Sequence, residues 1–370
     1  MGKIKVCIIS AGMITNKAHI PAYLNRSDFY TVSAVSDLNF DAAKETKERF
    51  SLENCYRDAE EMLEKEKPDL VSVCVPNRFH KEYALLALSK GAHVICEKPL
   101  AYNYKDAIEM YDAAKKANRH LVACQSMRFL PERLTAKRLI DEGALGDVYY
   151  GEFSRIRQRG VPFWGKFHIK EESGGGAFLD IGVHMIDSLL WLMGNPGVKS
   201  VSGTSATRLA LSDDYEGGEK ESGALGGVDK VRELKKEEFN VEDFASGSVA
   251  FESGARANFK VAWAANLPEA SSFTLAGDKA GLSLPDFKFY GRGDTVDRLN
   301  SFMPDKQKYE NETFPGHFYL ADHMVKVLLG KEEIMIKPEE TINTAALIDC
   351  FYKSAELGRE VSLSEIKEGQ

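Results

Sequence analysis

The sequence predicts an α/β protein. A doubly wound parallel sheet fills the N-terminal third, and an α+β domain with a large, mostly antiparallel sheet follows. Three observations lead there. At 370 residues the chain exceeds what one hydrophobic core usually serves, so two domains are expected. Near-continuous apolar runs alternate with helix-like stretches through the first third, the pattern of strands buried on both faces. Past residue 126 that rhythm gives way to alternating, hairpin-linked strands and segregated helices. The expected boundaries are 1–126 for the first domain and 127–370 for the second.

The strands of the first domain fall at 4–10, 31–37, 70–76, 93–96 and 121–125, each rich in Val, Ile, Leu, Ala or Cys. Helices are expected between them at 41–50, 59–66, 79–90 and 104–118. In the second domain a helix over 131–142 ends at Gly143, a C-terminal cap. A half-wet strand follows over 147–159, then a glycine-led helix over 180–193 closed by Gly194-Asn195-Pro196. Strands are expected at 198–208, 246–251, 255–264 and 271–277, with Glu252-Ser253-Gly254 turning one hairpin. Helices return at 317–329 and 339–357. The stretches 212–239 and 285–314 read as a long loop and an irregular connection.

Composition narrows the partners. Hydrophobic content of 44% and charged content of 28% are those of a globular domain. A net charge of −8 argues against nucleic acid or an anionic membrane as the main partner. The N-terminal apolar run is too short for a secretory leader, and no stretch is expected to cross a membrane. Six cysteines without paired metal spacing fit buried free thiols and a cytoplasmic protein.

Strand one runs into Ser10-Ala11-Gly12-Met13-Ile14. A dinucleotide-binding turn needs small residues here, so that backbone N–H groups can approach a pyrophosphate. Full Gly-x-Gly-x-x-Gly is absent, since Ser10 occupies the first glycine position and Thr15 the third, and a tight strand-to-helix turn without ligand would read the same. Strand two ends at Asp37, where a carboxylate can accept bonds from the adenosine ribose and would repel a 2′-phosphate; no arginine follows closely. NAD is therefore expected over NADP. Asp37 can alternatively cap the helix after it. Strand three ends Val75-Pro76-Asn77 with His80 just beyond, placing Asn77 where such sheets bind ligands or where it caps a helix.

Lys98 follows the run 92–96 and precedes Pro99, which biases it toward extended geometry at the ligand-facing sheet edge. A cationic nicotinamide nearby would lower its pKa toward a useful range. The plainer reading is a surface lysine paired with Glu97. Farther on, Gly174-Gly175-Gly176 precede Asp180 and His184, four apart and so on one helix face. His184 suits proton abstraction from a hydroxyl, and Asp180 suits orienting it. A capping Asp and a packed core His would satisfy the same spacing. A metal site at Asp180, His184 and Asp187 lacks a third nitrogen or sulfur ligand, so no metal is expected.

These motifs resemble the Gfo/Idh/MocA oxidoreductases, the glucose–fructose oxidoreductase and inositol dehydrogenase family. The resemblance spans residues 4–361. It rests on Ala11-Gly12-Met13-Ile14 with His19-Ile20-Pro21, Val75-Pro76-Asn77 with His80, and Glu97-Lys98-Pro99-Leu100. Arg128-Phe129 with Pro131, Gly143-Ala144-Leu145-Gly146, the segment 174–187 and Val241-Glu242-Asp243-Phe244 extend it. Ser10 departs from the usual glycine. The resemblance implies an N-terminal Rossmann domain and a C-terminal domain whose open sheet makes homodimers or homotetramers. It also implies that Lys98, Asp180 and His184 meet at the nicotinamide. Ser10, Ala11, Gly12, Met13, Ile14, Asp37, Pro76, Asn77, His80, Glu97, Lys98 and Arg128 would then contact the dinucleotide. In part of the family the stretch 155–166 covers the substrate, which makes Arg157, Trp164 and Lys166 candidates for holding it; Trp164 could equally be a packed side chain.

The reading that follows is an NAD-dependent dehydrogenase of a sugar, cyclitol or related polyol. Its rivals are an NAD-dependent, lyase-like glycosidase using transient oxidation, a cofactor-bound sugar sensor without chemistry and, last, a metal hydrolase.

Overall fold

A computed structural model describes residues 2–162, 165–212, 235–292, 297–301 and 308–369. The chain divides into two compact units. The first comprises Met1–Phe129 with Lys308–Thr341, the second Leu130–Gln307 with Ile342–Gln370. The boundary expected at 126 lies close to the observed one, but the C-terminal segment Lys308–Thr341 packs with the first unit.

The first unit is built on six strands: β1 (Ile4–Ile9), β2 (Tyr30–Ser36), β3 (Asn54–Tyr56), β4 (Leu70–Val73), β5 (His93–Cys96) and β6 (Leu121–Ala123). They lie in the order β3-β2-β1-β4-β5-β6, and every pair is parallel. Val6, Ile8, Val71, Val94 and Val122 are fully buried, which is why these runs carry no polar alternation. The helices between them are α1 (Ile20–Leu24), α2 (Phe40–Phe50), α3 (Ala59–Glu66), α4 (His80–Ser89) and α5 (Tyr104–Ala117). Asp58 and Asn103 cap α3 and α5 by accepting N–H bonds from Glu61 and Asp106. The order reverses between β1 and β4, so the loops after them flank the crevice where such sheets bind ligands. β3 was not expected, because Asn54-Cys55-Tyr56 is too short and too polar to register as an apolar run.

The second unit opens with α6 (Pro131–Asp141), β7 (Val148–Ile156) and α7 (Lys170–Ser173), followed by a π-helical turn over Phe178–Gly182 and α8 (Val183–Leu192). Strands β8 (Val198–Ala206), β9 (Phe244–Phe251), β10 (Arg256–Ala262), β11 (Ala270–Gly277), β12 (Ala280–Leu284), β13 (Lys288–Arg292) and β14 (Asp297–Ser301) come next. Helices α9 (Pro315–Leu328, which belongs to the first unit) and α10 (Pro338–Leu357), β15 (Val361–Ser362) and α11 (Leu363–Glu368) close the chain. The nine-stranded sheet has the order β14-β13-β12-β11-β7-β10-β9-β8-β15. Its β7–β10 pair is parallel and its other pairs are antiparallel. The irregular connection expected over 285–314 in fact contains β13 and β14. Residues 213–234 of the expected loop lie outside the described residues.

By length and composition alone, Lys170–Leu192 would cross a membrane, contrary to expectation. It is 89% buried within the fold, however, and acts as the core helix of this unit. Phe178 packs on Phe351 and Phe259 at ring centroids 3.8 and 5.0 Å apart, joining that helix to α10 and to the sheet.

Candidate active site

In the first unit the site residues sit at the C-terminal ends of parallel strands. The turn after β1 is held by its own side chains. Thr15 donates to the Ser10 carbonyl (2.8 Å), and Asn16 Nδ2 donates to the carbonyls of Ala11 and Gly12 (2.8 and 2.9 Å). Ser10 adopts φ +90°, the left-handed region that glycine takes freely. Its hydroxyl repays part of the strain by donating to Asp37 (3.3 Å) and accepting from Gly12 N–H (3.3 Å). Gly12 is exposed, and a side chain there would meet only Ser10 Oγ at 3.5 Å, so the turn leaves room for a pyrophosphate. Met13 and Ile14 are half-buried as the chain enters a π-helical turn over Thr15–His19.

Asp37 ties the turn after β1 to the entry of α2. Its Oδ2 accepts from Ala11 N–H (2.8 Å), and its Oδ1 accepts from Asn39 N–H (2.8 Å) at the N-cap of α2. Pro76 is exposed and Asn77 half-buried at the short 3₁₀ turn leading into α4.

Three of the expected dinucleotide contacts lie deeper than foreseen. His80 is buried, its Nδ1 2.7 Å from the Pro99 carbonyl and its Nε2 3.0 Å from that of Val75. Burial lowers its pKa. Arg128 is fully buried and ion-paired with Glu340. Glu97 is also buried. Its Oε1 accepts from His19 Nε2 (2.8 Å) and His317 Nε2 (3.1 Å), and its Oε2 from Lys98 N–H (3.2 Å). Burial would raise the Glu97 pKa, but the two imidazole bonds outweigh it and hold the carboxyl well below its ordinary value. Within residues 94–101 only Lys98 keeps part of its surface exposed. The Lys98–Pro99 peptide is cis.

In the second unit, Gly174 takes φ +86° and ends α7. A methyl on Gly175 would stand 1.9 Å from the Tyr352 hydroxyl, and one on Gly176 2.0 Å from the Glu242 carbonyl oxygen. The glycines thus admit the backbone leading into β9 and a tyrosine. Glu242 completes this junction: its buried carboxylate accepts from Gly176 N–H (3.0 Å), Phe178 N–H (2.9 Å) and the Tyr352 hydroxyl (3.0 Å). Burial raises its pKa. The helix beyond begins as the π turn and becomes α8, so Asp180 and His184 span the change of helical pitch. Among residues 177–192 they alone are not fully buried. Asp180 Oδ2 accepts from the buried Trp263 Nε1 (3.0 Å). Arg155, half-buried, has its pKa lowered by burial and by Arg157, with Asp180 opposing.

Arg157 is half-buried and donates to the Gly160 carbonyl (3.3 Å), while exposed Lys166 pairs with Glu172 (2.7 Å). Trp164 lies outside the described residues. Sequence reasoning assigned no role to His317, Trp263 or Glu242. The only signal was that His19 and Glu242 stood within the motifs quoted above. All six cysteines are free, as expected.

The parallel sheet, its phosphate-sized turn and the acid at the end of β2 define a dinucleotide-binding fold. Residues 4–124 match the oxidoreductase family model with NAD-binding Rossmann fold, and residues 134–283 match the GFO/IDH/MocA C-terminal domain. The chain belongs to the Gfo/Idh/MocA oxidoreductase family. It is 33% identical to the D-glucoside 3-dehydrogenase of Escherichia coli, over 97% of each chain. Levoglucosan dehydrogenase of Pseudarthrobacter phenanthrenivorans is 30% identical over 69% of this chain and 66% of its own. A solved levoglucosan dehydrogenase in complex with NADH and levoglucosan shares the fold at a TM-score of 0.80. It is 21% identical and covers 98% of this chain and 100% of that one.

Proposed function

We propose that the protein is an NAD-dependent dehydrogenase that oxidises a ring hydroxyl of a sugar or cyclitol, with D-glucosides the first substrates to try. The observation that carries this reading is selective exposure. Lys98 on one buried run, and Asp180 with His184 on another, are the residues of their segments that are only partly buried, against neighbours that are buried. A buried structural pair would not show this pattern. The 33% identity to a D-glucoside 3-dehydrogenase supports the substrate class.

His184 takes the hydroxyl proton, because imidazole is the side chain whose basicity suits that step near neutral pH. Asp180, fixed by Trp263, orients hydroxyl and imidazole. Lys98 stabilises the alkoxide as it forms. The Ser10–Ile14 turn and Asp37 would hold the dinucleotide, whose nicotinamide would supply the hydride acceptor. Asp37 favours NAD, since a carboxylate repels a 2′-phosphate.

The test is a panel of glucosides, free sugars and inositols with either nucleotide, followed by absorbance at the reduced nicotinamide band. NADH should form with at least one glucoside or cyclitol, and His184→Ala and Lys98→Ala should each lower turnover by about 10²–10⁴-fold. Near-normal turnover in both variants would refute the mechanism, and a clear preference for NADP would refute the role given to Asp37.

A further inference from the structure

Lys98 is flanked on both sides by buried histidine anchors. On its N-terminal side, Glu97 receives Nε2 bonds from His19, at the end of the first π turn, and from His317, in the first turn of α9. On its C-terminal side, the Pro99 carbonyl faces His80 Nδ1 at 2.7 Å. Glu97 in turn accepts the Lys98 backbone N–H. The Lys98 backbone N–H, through Glu97, and the carbonyl of the following residue are therefore both tied to buried imidazoles.

The hydrogen bonds of this cluster form a chain that ends on Glu97. Burial lowers the His19 pKa, with Glu97 opposing, which favours the neutral ring. Its Nε2–H donates to Glu97, which leaves Nδ1 as an acceptor. Ser72 Oγ, 3.2 Å away, must then donate to Nδ1, and the Tyr23 hydroxyl, 2.7 Å from Ser72, donates to Ser72. Cys124 stands beside this shell, its Sγ within 4.8 Å of the facing atoms of His19, Glu97 and His317. A satisfied buried polar network of this kind fixes geometry better than apolar packing does. α9 reaches it because residue 316 is glycine: a methyl there would stand 2.4 Å from the Ser126 carbonyl oxygen.

We propose that His317, with His19, is a positioning residue for Lys98, acting through the Glu97 carboxylate it hydrogen-bonds. The proposal rests on the reading that Lys98 takes part in the reaction. Losing the His317 N–H leaves a buried carboxylate short of a donor and loosens the backbone from which Lys98 projects. A misplacement of about 1 Å at a reacting group costs on the order of 10²-fold in rate.

The experiment compares His317→Leu, His317→Gln and Glu97→Gln in the full-length protein, alone and with Lys98→Met. Turnover, substrate KM, NADH affinity by fluorescence, melting temperature and metal content are measured. We expect His317→Leu to lower kcat at least tenfold while KM and NADH affinity stay within about twofold. His317→Gln, whose amide can donate at the same place, should recover most of that loss. In the Lys98→Met background, His317→Leu should add little. Should His317→Leu fail to fold, Glu97→Gln carries the test, being isosteric and expected to lower kcat in the same manner.

Unchanged kcat in folded His317→Leu or Glu97→Gln, while Lys98→Met is crippled, overturns the positioning role and leaves the role of Lys98 standing. An active Lys98→Met instead refutes the proposed function itself. Stoichiometric zinc or another divalent metal in the purified protein also overturns the proposal. The donor atoms of His19, Glu97, Cys124 and His317 lie within 4.8 Å of one another and would then be metal ligands.

Discussion

Ser10 sits in a conformation that costs a non-glycine residue on the order of 1–3 kcal/mol, and its two hydroxyl bonds of 3.3 Å return only part of that. Ser10→Gly should therefore raise unfolding stability by about 1 kcal/mol in chemical denaturation. A loss of stability would mean that the hydroxyl contacts outweigh the backbone strain. The same residue shows what was readable at this scale. Its place in the glycine spacing was plain from the sequence, and the positive φ follows from that place. The partners of Glu97 were not plain, because His317 stands 220 positions away and nothing local in Pro315-Gly316-His317 marks a ligand for a carboxylate.

At the scale of elements, the long apolar strands and capped helices of the first unit were legible because a single period repeats over each. The π turns at Thr15–His19 and Phe178–Gly182 were not, since one wider turn leaves the apolar pattern of a helix intact. Both carry residues of interest, His19 and Asp180, in keeping with the frequency of π turns at functional sites. The strands β13 and β14 escaped because Lys288–Arg292 and Asp297–Ser301 are short, polar segments toward a sheet edge. The glycine run before Asp180 gives the sharpest prediction at this scale. Gly176→Ala would drive a methyl against the Glu242 backbone, which cannot move aside as a side chain can. It should destabilise the protein by about 3 kcal/mol and lower activity with it, as read by thermal melting and turnover. Wild-type stability in that variant would contradict the close approach described for this junction.

For the molecule as a whole, the buried histidines set the direction of its acid response. His19 and His80 are held below their ordinary pKa by burial, and His93, stacked on His120, is lowered to about 4 by burial and its neighbour. In the unfolded chain these rings titrate near 6.5, so below that pH the unfolded state binds more protons and stability falls. Glu97 acts in the same direction lower down: its folded pKa is depressed, so its contribution is lost as pH drops below the ordinary carboxylate value of 4.5. Melting temperature should accordingly decline steadily from pH 7 through 4. A rise on acidification would show that these rings are charged in the folded state.

The placement of His317 also has a consequence for biosynthesis. A ribosome finishes all six strands of the parallel sheet, which end at Ala123, and Lys98 with them, 194 residues before it adds His317 (317 − 123). The nascent N-terminal domain is thus made early with one of its internal donors still unsynthesised. A product truncated between Phe129 and α9 would keep the six-stranded nucleotide-binding sequence yet lack the hydrogen bond that completes the seat of its lysine.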